Sequence, residues 1–218
     1  GDHPADRGRV VWLRRRCSRW FPATLLVLGI VLAVGIMTAD NELITHDRLM
    51  DDIGMNLSAL KHFRFWAIPA ATFVQASPGV AWTMLLLVGL PMIALEFLAG
   101  SWRALVTFLL CDWLTAPVTV VILWILSNLG DANAGRFLMD PDTGSSAAAH
   151  GVIAAAIMML PAKLAAIGMT ILVGITIIAL SFFRLDTSLA HFLGIVVGAV
   201  FGAIWKRQIR REPAYHVT

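Results

Sequence analysis

Six polar groups interrupt otherwise apolar stretches of this 218-residue sequence, and each is of a type that can move a proton, donate a hydrogen bond or attack carbon. They are Glu96, Asp112, Ser145, Ser146, His150 and His191. Ionisable and reactive groups are costly among lipid-facing residues, so each is a candidate for function. The densest cluster is Gly144-Ser145-Ser146-Ala147-Ala148-Ala149-His150-Gly151, with two hydroxyls, small residues and two glycines at the start of an apolar run. A serine in the first turn of a helix sits beside unpaired backbone N–H groups and the positive end of the helix dipole, a setting that stabilises an oxyanion. The same residues also suit a structural role, with Ser145 capping the helix and Ser146 packing inside it.

The last apolar run supplies a possible partner. It reads Ala190-His191-Phe192-Leu193-Gly194-Ile195-Val196-Val197-Gly198, with Gly202 beyond. Gly194, Gly198 and Gly202 recur every fourth residue and form one smooth groove that lets another helix approach closely. His191 lies one turn before Gly194 on that face, so it points at whichever helix enters the groove. A neutral imidazole buried there needs a hydrogen-bond partner, and a serine hydroxyl would serve. A Ser–His pair is the minimum apparatus of nucleophilic catalysis: the imidazole takes the hydroxyl proton and returns it to the leaving amine.

The elements that must position these groups are membrane helices. Hydrophobic residues make up 58% of the chain and charged residues 14%, well below the quarter or so usual in soluble domains; the mean hydropathy is +0.77. Apolar runs of roughly bilayer length fall at 20–38, 77–98, 101–126, 145–160, 164–183 and 188–205. The first carries no charge, is too long for a signal-peptide core and is expected to be retained. The fourth is short and starts at small polar residues.

Twelve of the 17 Lys and Arg flank one set of helix ends: Arg7, Arg9, Arg14, Arg15, Arg16, Arg19, Arg103, Lys163, Lys206, Arg207, Arg210 and Arg211. By the positive-inside rule both termini are expected in the cytoplasm. The basic residues are placed as helix anchors, which argues against a nucleic-acid surface. The expected organisation is a basic cytoplasmic segment over 1–19, a six-helix membrane domain over 20–205 with an outer loop at 39–67, and a basic tail over 206–218. Cys17 and Cys111 fall at different depths, so no disulfide is expected; Cys17 is a juxtamembrane thiol of the kind that is sometimes acylated. Asp112, Cys111, His150 and His191 lack local metal-ligand spacing, and neither metal nor cofactor is expected. Paired broken helices and a charged path, the marks of a transporter, are missing.

At these residues the chain resembles the rhomboid family of intramembrane serine proteases. Gly144, Ser146 and Gly151 fit the family's fourth-helix serine motif, and Ala190, His191, Gly194 and Gly198 fit its sixth-helix motif. Glu96 and Gly100 fit the end of its second helix, and Trp66 with Thr72-Phe73 looks like the start of that unit. The resemblance implies an all-α, six-transmembrane-helix bundle with both termini inside, Ser146 as nucleophile and His191 as base. It implies transmembrane segments of other proteins as substrates. The helix-packing glycines would be Gly144, Gly151, Gly194 and Gly198, and Glu96 would cap or bond the loop that follows it. The chain also departs from the pattern. The family's oxyanion-binding His and Asn fall on Val80 and Met84, its structural His on Gln75, and its loop Arg on Ala67. Its second motif glycine becomes Ala147, and its aromatic residue one turn after the serine becomes His150. Ser145, Gln75 and His150 are then the remaining side chains near the oxyanion, and His150 is placed to stack on His191.

Two functions follow as expectations. One is an intramembrane serine endopeptidase. The other is a non-catalytic rhomboid-like protein that binds membrane segments or serves in a complex. The Ala, Arg and Val bias fits a GC-rich bacterial genome, so a bacterial plasma membrane is the expected location.

Overall fold

The structure is a computed structural model and describes residues 21–39, 50, 52–75, 78–180 and 185–212. Its regular elements are helices: α1 (Pro22–Ala39), α2 (Leu57–Lys61), α3 (Ala67–Phe73), α4 (Pro78–Ala99), α5 (Ser101–Asn128), α6 (Ala132–Phe137), α7 (Ser146–Met159), α8 (Ala162–Leu180) and α9 (Leu185–Arg211). The six apolar runs of the sequence are the six longer helices. Four of them, α4, α5, α8 and α9, are long and apolar enough to cross a membrane among the described residues. The apolar part of α1 and the whole of α7 are shorter. With 14 residues, α7 is about 21 Å long against a hydrocarbon core of about 30 Å. The chain is a membrane protein. The large apolar side chains of α8 lie outward, including Leu164, Ile167, Ile171, Ile175 and Ile178, as they would against lipid.

At the centre of the packing is α7, which touches α4, α5, α8 and α9 and is joined most extensively to α9. It can be central because its inward residues are small: Ala147, Ala148, Ala149, Gly151, Val152, Ala154 and Ala155 are all buried. One core cluster surrounds it, built on Val88, Met92, Leu95, Phe108 and Val152. A second, with Met55, Ala67, Val120, Leu123 and Leu138, lies under the segments that cross the top of α5.

Side-chain bonds tie helix ends together at the opposite end. Glu96, 1% exposed, accepts from Ala23 N (3.1 Å), Thr24 N (2.9 Å) and Thr24 Oγ1 (2.7 Å). Those donors are in the first turn of α1, where N–H groups have no partner within the helix and a carboxylate is favoured by the dipole. The expectation that Glu96 bonds the segment following it holds in part: the Ser101 hydroxyl is within reach of the carboxylate, and further donors come from a helix more than 70 residues upstream. Lys206 Nζ donates to the carbonyls of Met158 (2.9 Å) and Leu160 at the end of α7. The guanidinium of Arg103 pairs with Glu212 and lies 5.8 Å from the Trp205 ring centroid.

The basic segment expected from 206 begins inside the last helix. The chain remains helical to Arg211, with Arg210 and Arg211 in the last turn of α9, where cations suit the negative end of the dipole. Residues 1–20, with Cys17 and the six N-terminal arginines, lie outside the described residues, as do 40–49 within the outer loop.

Candidate functional site

The turn that carries Ser146 is held from three directions before α7 begins. Met55 and Asp142 exchange both backbone bonds, Met55 N to Asp142 O at 2.9 Å and Asp142 N to Met55 O at 3.0 Å. The Asn56 amide reaches Met139 O at 3.4 Å, and Gly144 N donates to Ala71 O at 2.9 Å. Non-helical backbone survives in a membrane protein where its polar groups are paired in this way. Gly144 adopts φ +108°, a left-handed value that favours glycine. Its part is to turn the chain into α7, from outside the helix, which replaces the helix-packing role expected for it.

The other glycines do form a seam. A Cβ on Gly202 would lie 2.6 Å from the Ala155 carbonyl oxygen, and one on Gly194 or Gly198 would strike the carbonyl of Ala147 or Gly151. The groove of α9 is therefore filled by the backbone of α7 at Ala147, Gly151 and Ala155. Gly151 is equally constrained, because a Cβ there would meet Cys111 on α5 and Gly194 O on α9. Small residues facing small residues bring the two backbones into contact.

This seam sets His191 beside the first turns of α7. Its ring stacks on His150 with centroids 4.0 Å apart and planes 16° apart, as the sequence anticipates. His150 Nδ1 bonds to the Ser146 carbonyl at 2.8 Å; because a carbonyl only accepts, Nδ1 must carry the proton, and this fixes the neutral tautomer. His191 Nε2 is buried and has no hydrogen-bond partner among the described residues. The hydroxyl of Ser146 is thus not bonded to it in this state. Catalytic hydrogen bonds are often long or misaligned before substrate arrives.

The other candidates are occupied elsewhere. Ser145, fully buried, is the N-cap residue of α7 but makes no side-chain cap bond; its hydroxyl lies 3.3 Å from Gln75 Nε2, which donates to it. Gln75 and Ser145 therefore bond to each other. Met84, one of the two positions where the resemblance would put oxyanion side chains, is buried and has no donor. What remains for an oxyanion is backbone: the Ser146 and Ala147 N–H groups belong to the turn that has no acceptors within its own helix. A cavity of about 20 Å³ adjoins them, lined by Asp112, Thr115, Thr143, Gly144, Ser146 and Ala147 among others. That volume admits a water molecule.

Asp112 is the residue whose setting the sequence left open. Only 5% exposed, it accepts from Thr72 Oγ1 on α3 at 2.6 Å, and the Ala148 backbone N–H of α7 is within reach of its carboxylate. Among the described residues no three His, Cys, Asp or Glu side chains converge as metal ligands would. No family model, curated protein or solved structure matches the chain.

Proposed function

We propose that the chain is an intramembrane serine endopeptidase with a six-helix, rhomboid-like membrane domain and both termini in the cytoplasm. Its substrates are transmembrane segments of other membrane proteins. The observation that carries this reading is the linkage of His191 to Ser146 through one residue: the imidazole stacks on His150, which is itself bonded to the Ser146 carbonyl. A purely structural seam of small residues needs neither histidine.

In the reaction, Ser146 Oγ attacks the scissile carbonyl carbon while its proton passes to His191 Nε2. Backbone N–H groups of the serine turn stabilise the oxyanion. Collapse of the tetrahedral species breaks the C–N bond, and the imidazolium gives its proton to the departing amine. Water then attacks the acyl-enzyme, with His191 taking a proton from it and returning one to Ser146 Oγ.

The second reading, a non-catalytic rhomboid-like protein that binds membrane segments, is favoured by one observation. Two of the three side chains left for the oxyanion, Gln75 and Ser145, are bonded to one another. Loss of one oxyanion donor costs about 10²–10³ in rate, so a slow enzyme is expected. The test is labelling with a fluorophosphonate probe and cleavage of a model transmembrane substrate, each compared with Ser146→Ala and His191→Ala. Labelling that disappears in both variants supports the protease. Absence of labelling and of cleavage in the unaltered chain leaves the binding protein.

A further inference from the structure

The buried carboxylate of Asp112 is unaccounted for by a Ser–His mechanism, and it sits where such a mechanism is most sensitive. It projects from α5 toward the first turn of α7. The first backbone bond of that helix is Ala149 N to Ser145 O at 2.9 Å, so the N–H groups of Ser146, Ala147 and Ala148 precede it. The natural cap, Ser145, has its hydroxyl turned to Gln75 instead. Asp112 is placed to supply what Ser145 does not: its carboxylate is within reach of the Ala148 N–H from a neighbouring helix, and it is braced by Thr72 Oγ1 at 2.6 Å. A carboxylate at the positive end of a helix is in its favoured place, and the cavity beside Ser146 begins at the same side chain.

We propose that Asp112 is a positioning residue, an N-cap in trans that fixes the serine-bearing turn of α7 by holding Ala148 N–H and leaves the Ser146 and Ala147 N–H groups facing the cavity. Thr72 is the brace that orients the carboxylate. Since Thr72 lies on α3 and Ala71 O holds Gly144 N, one short helix aligns both the approach to Ser146 and the residue that caps its helix. The consequence for catalysis rests on the protease reading given above; the capping itself does not.

The experiment uses the full chain in detergent micelles, with Asp112→Leu, Asp112→Asn and Thr72→Val. Two quantities are measured: hydrogen exchange of the peptide spanning Gly144 to Gly151, and the fluorophosphonate labelling rate of Ser146 per folded molecule. Loss of a cap corresponds to about a tenfold change. Asp112→Leu is therefore expected to speed exchange of that peptide about tenfold and slow labelling about as much. Asp112→Asn, which keeps an acceptor for Ala148 N–H, restores both to within about threefold of the unaltered chain. Thr72→Val falls between, and it carries the test if Asp112→Leu does not fold. Unchanged exchange in Asp112→Leu and Thr72→Val overturns the proposal, as does an Asn variant that behaves like Leu. If the unaltered chain does not label but exchange follows this order, the protease reading fails and the cap stands.

Discussion

His150 is bonded to one member of the proposed pair and stacked on the other, which makes it the most informative single side chain. Its two contacts separate by substitution. Phenylalanine keeps a ring under His191 but loses the bond to the Ser146 carbonyl; alanine loses both. A stacked pair is worth about 0.5–1.5 kcal/mol beyond the area it buries, which is about two- to twelvefold in rate. His150→Ala is expected to slow fluorophosphonate labelling by about that factor, and His150→Phe to recover most of the loss. If Phe is as slow as Ala, the bond to Ser146 O matters more than the platform. Asp112 belongs to the same scale. Its type and depth mark it in the sequence, but its partners do not show there: Thr72 is 40 residues upstream and Ala148 is on another helix.

The helices themselves were legible, because runs of apolar residues of bilayer length leave little choice of secondary structure. The groove on α9 was legible too, since glycines at every fourth residue can only make a groove. Which helix fills the groove was not, and neither was the cap that Glu96 provides for α1, because both depend on tertiary contacts between distant segments. The seam predicts a sharp contrast among glycine substitutions. Gly198→Ala puts a methyl group against the Gly151 carbonyl, where backbone must shift on both helices; overpacking of this kind costs about 1–3 kcal/mol. Gly174→Ala meets nothing within 4 Å and gains helix propensity of up to about 1 kcal/mol. Thermal unfolding in detergent should fall for the first and hold or rise for the second. Glu96→Gln replaces an acceptor oxygen with an NH₂ group that faces the α1 donors. With hydrogen bonds to a charged group worth about 1.5–3 kcal/mol, the same melt should show a loss of at least that size. A neutral result would mean that the first turn of α1 finds other acceptors.

For the whole molecule the contacts bring one set of helix ends together, and the charges divide along the same axis. Glu96, at the end of α4, meets the start of α1; Arg103, at the start of α5, meets Glu212 beyond α9; Lys206 meets the end of α7. The start of α1 and the end of α9 are therefore at one end of the bundle. That end also carries Arg103, Lys163, Lys206, Arg207, Arg210 and Arg211, whereas the loop at the other end holds Asp131, Asp140 and Asp142. Positive charge close to helix ends is retained on the cytoplasmic side, so the end with the start of α1 and the end of α9 should be cytoplasmic and the Ser146 cavity should face outward. Green fluorescent protein fused after Thr218 is expected to fluoresce, and alkaline phosphatase at the same point to be inactive. Alkaline phosphatase inserted after Gly130 is expected to be active, because the turn there lies at the far end of α5. The reverse pattern would invert the molecule and aim the cavity at the cytoplasm. Activity of both reporters at Thr218 would mean that arginines flanking α9 do not by themselves hold the chain in one orientation. Replacing Arg207, Arg210 and Arg211 by Asn tests that cause directly: if charge sets the orientation, fluorescence of the C-terminal fusion drops while the helices of the bundle keep their melt.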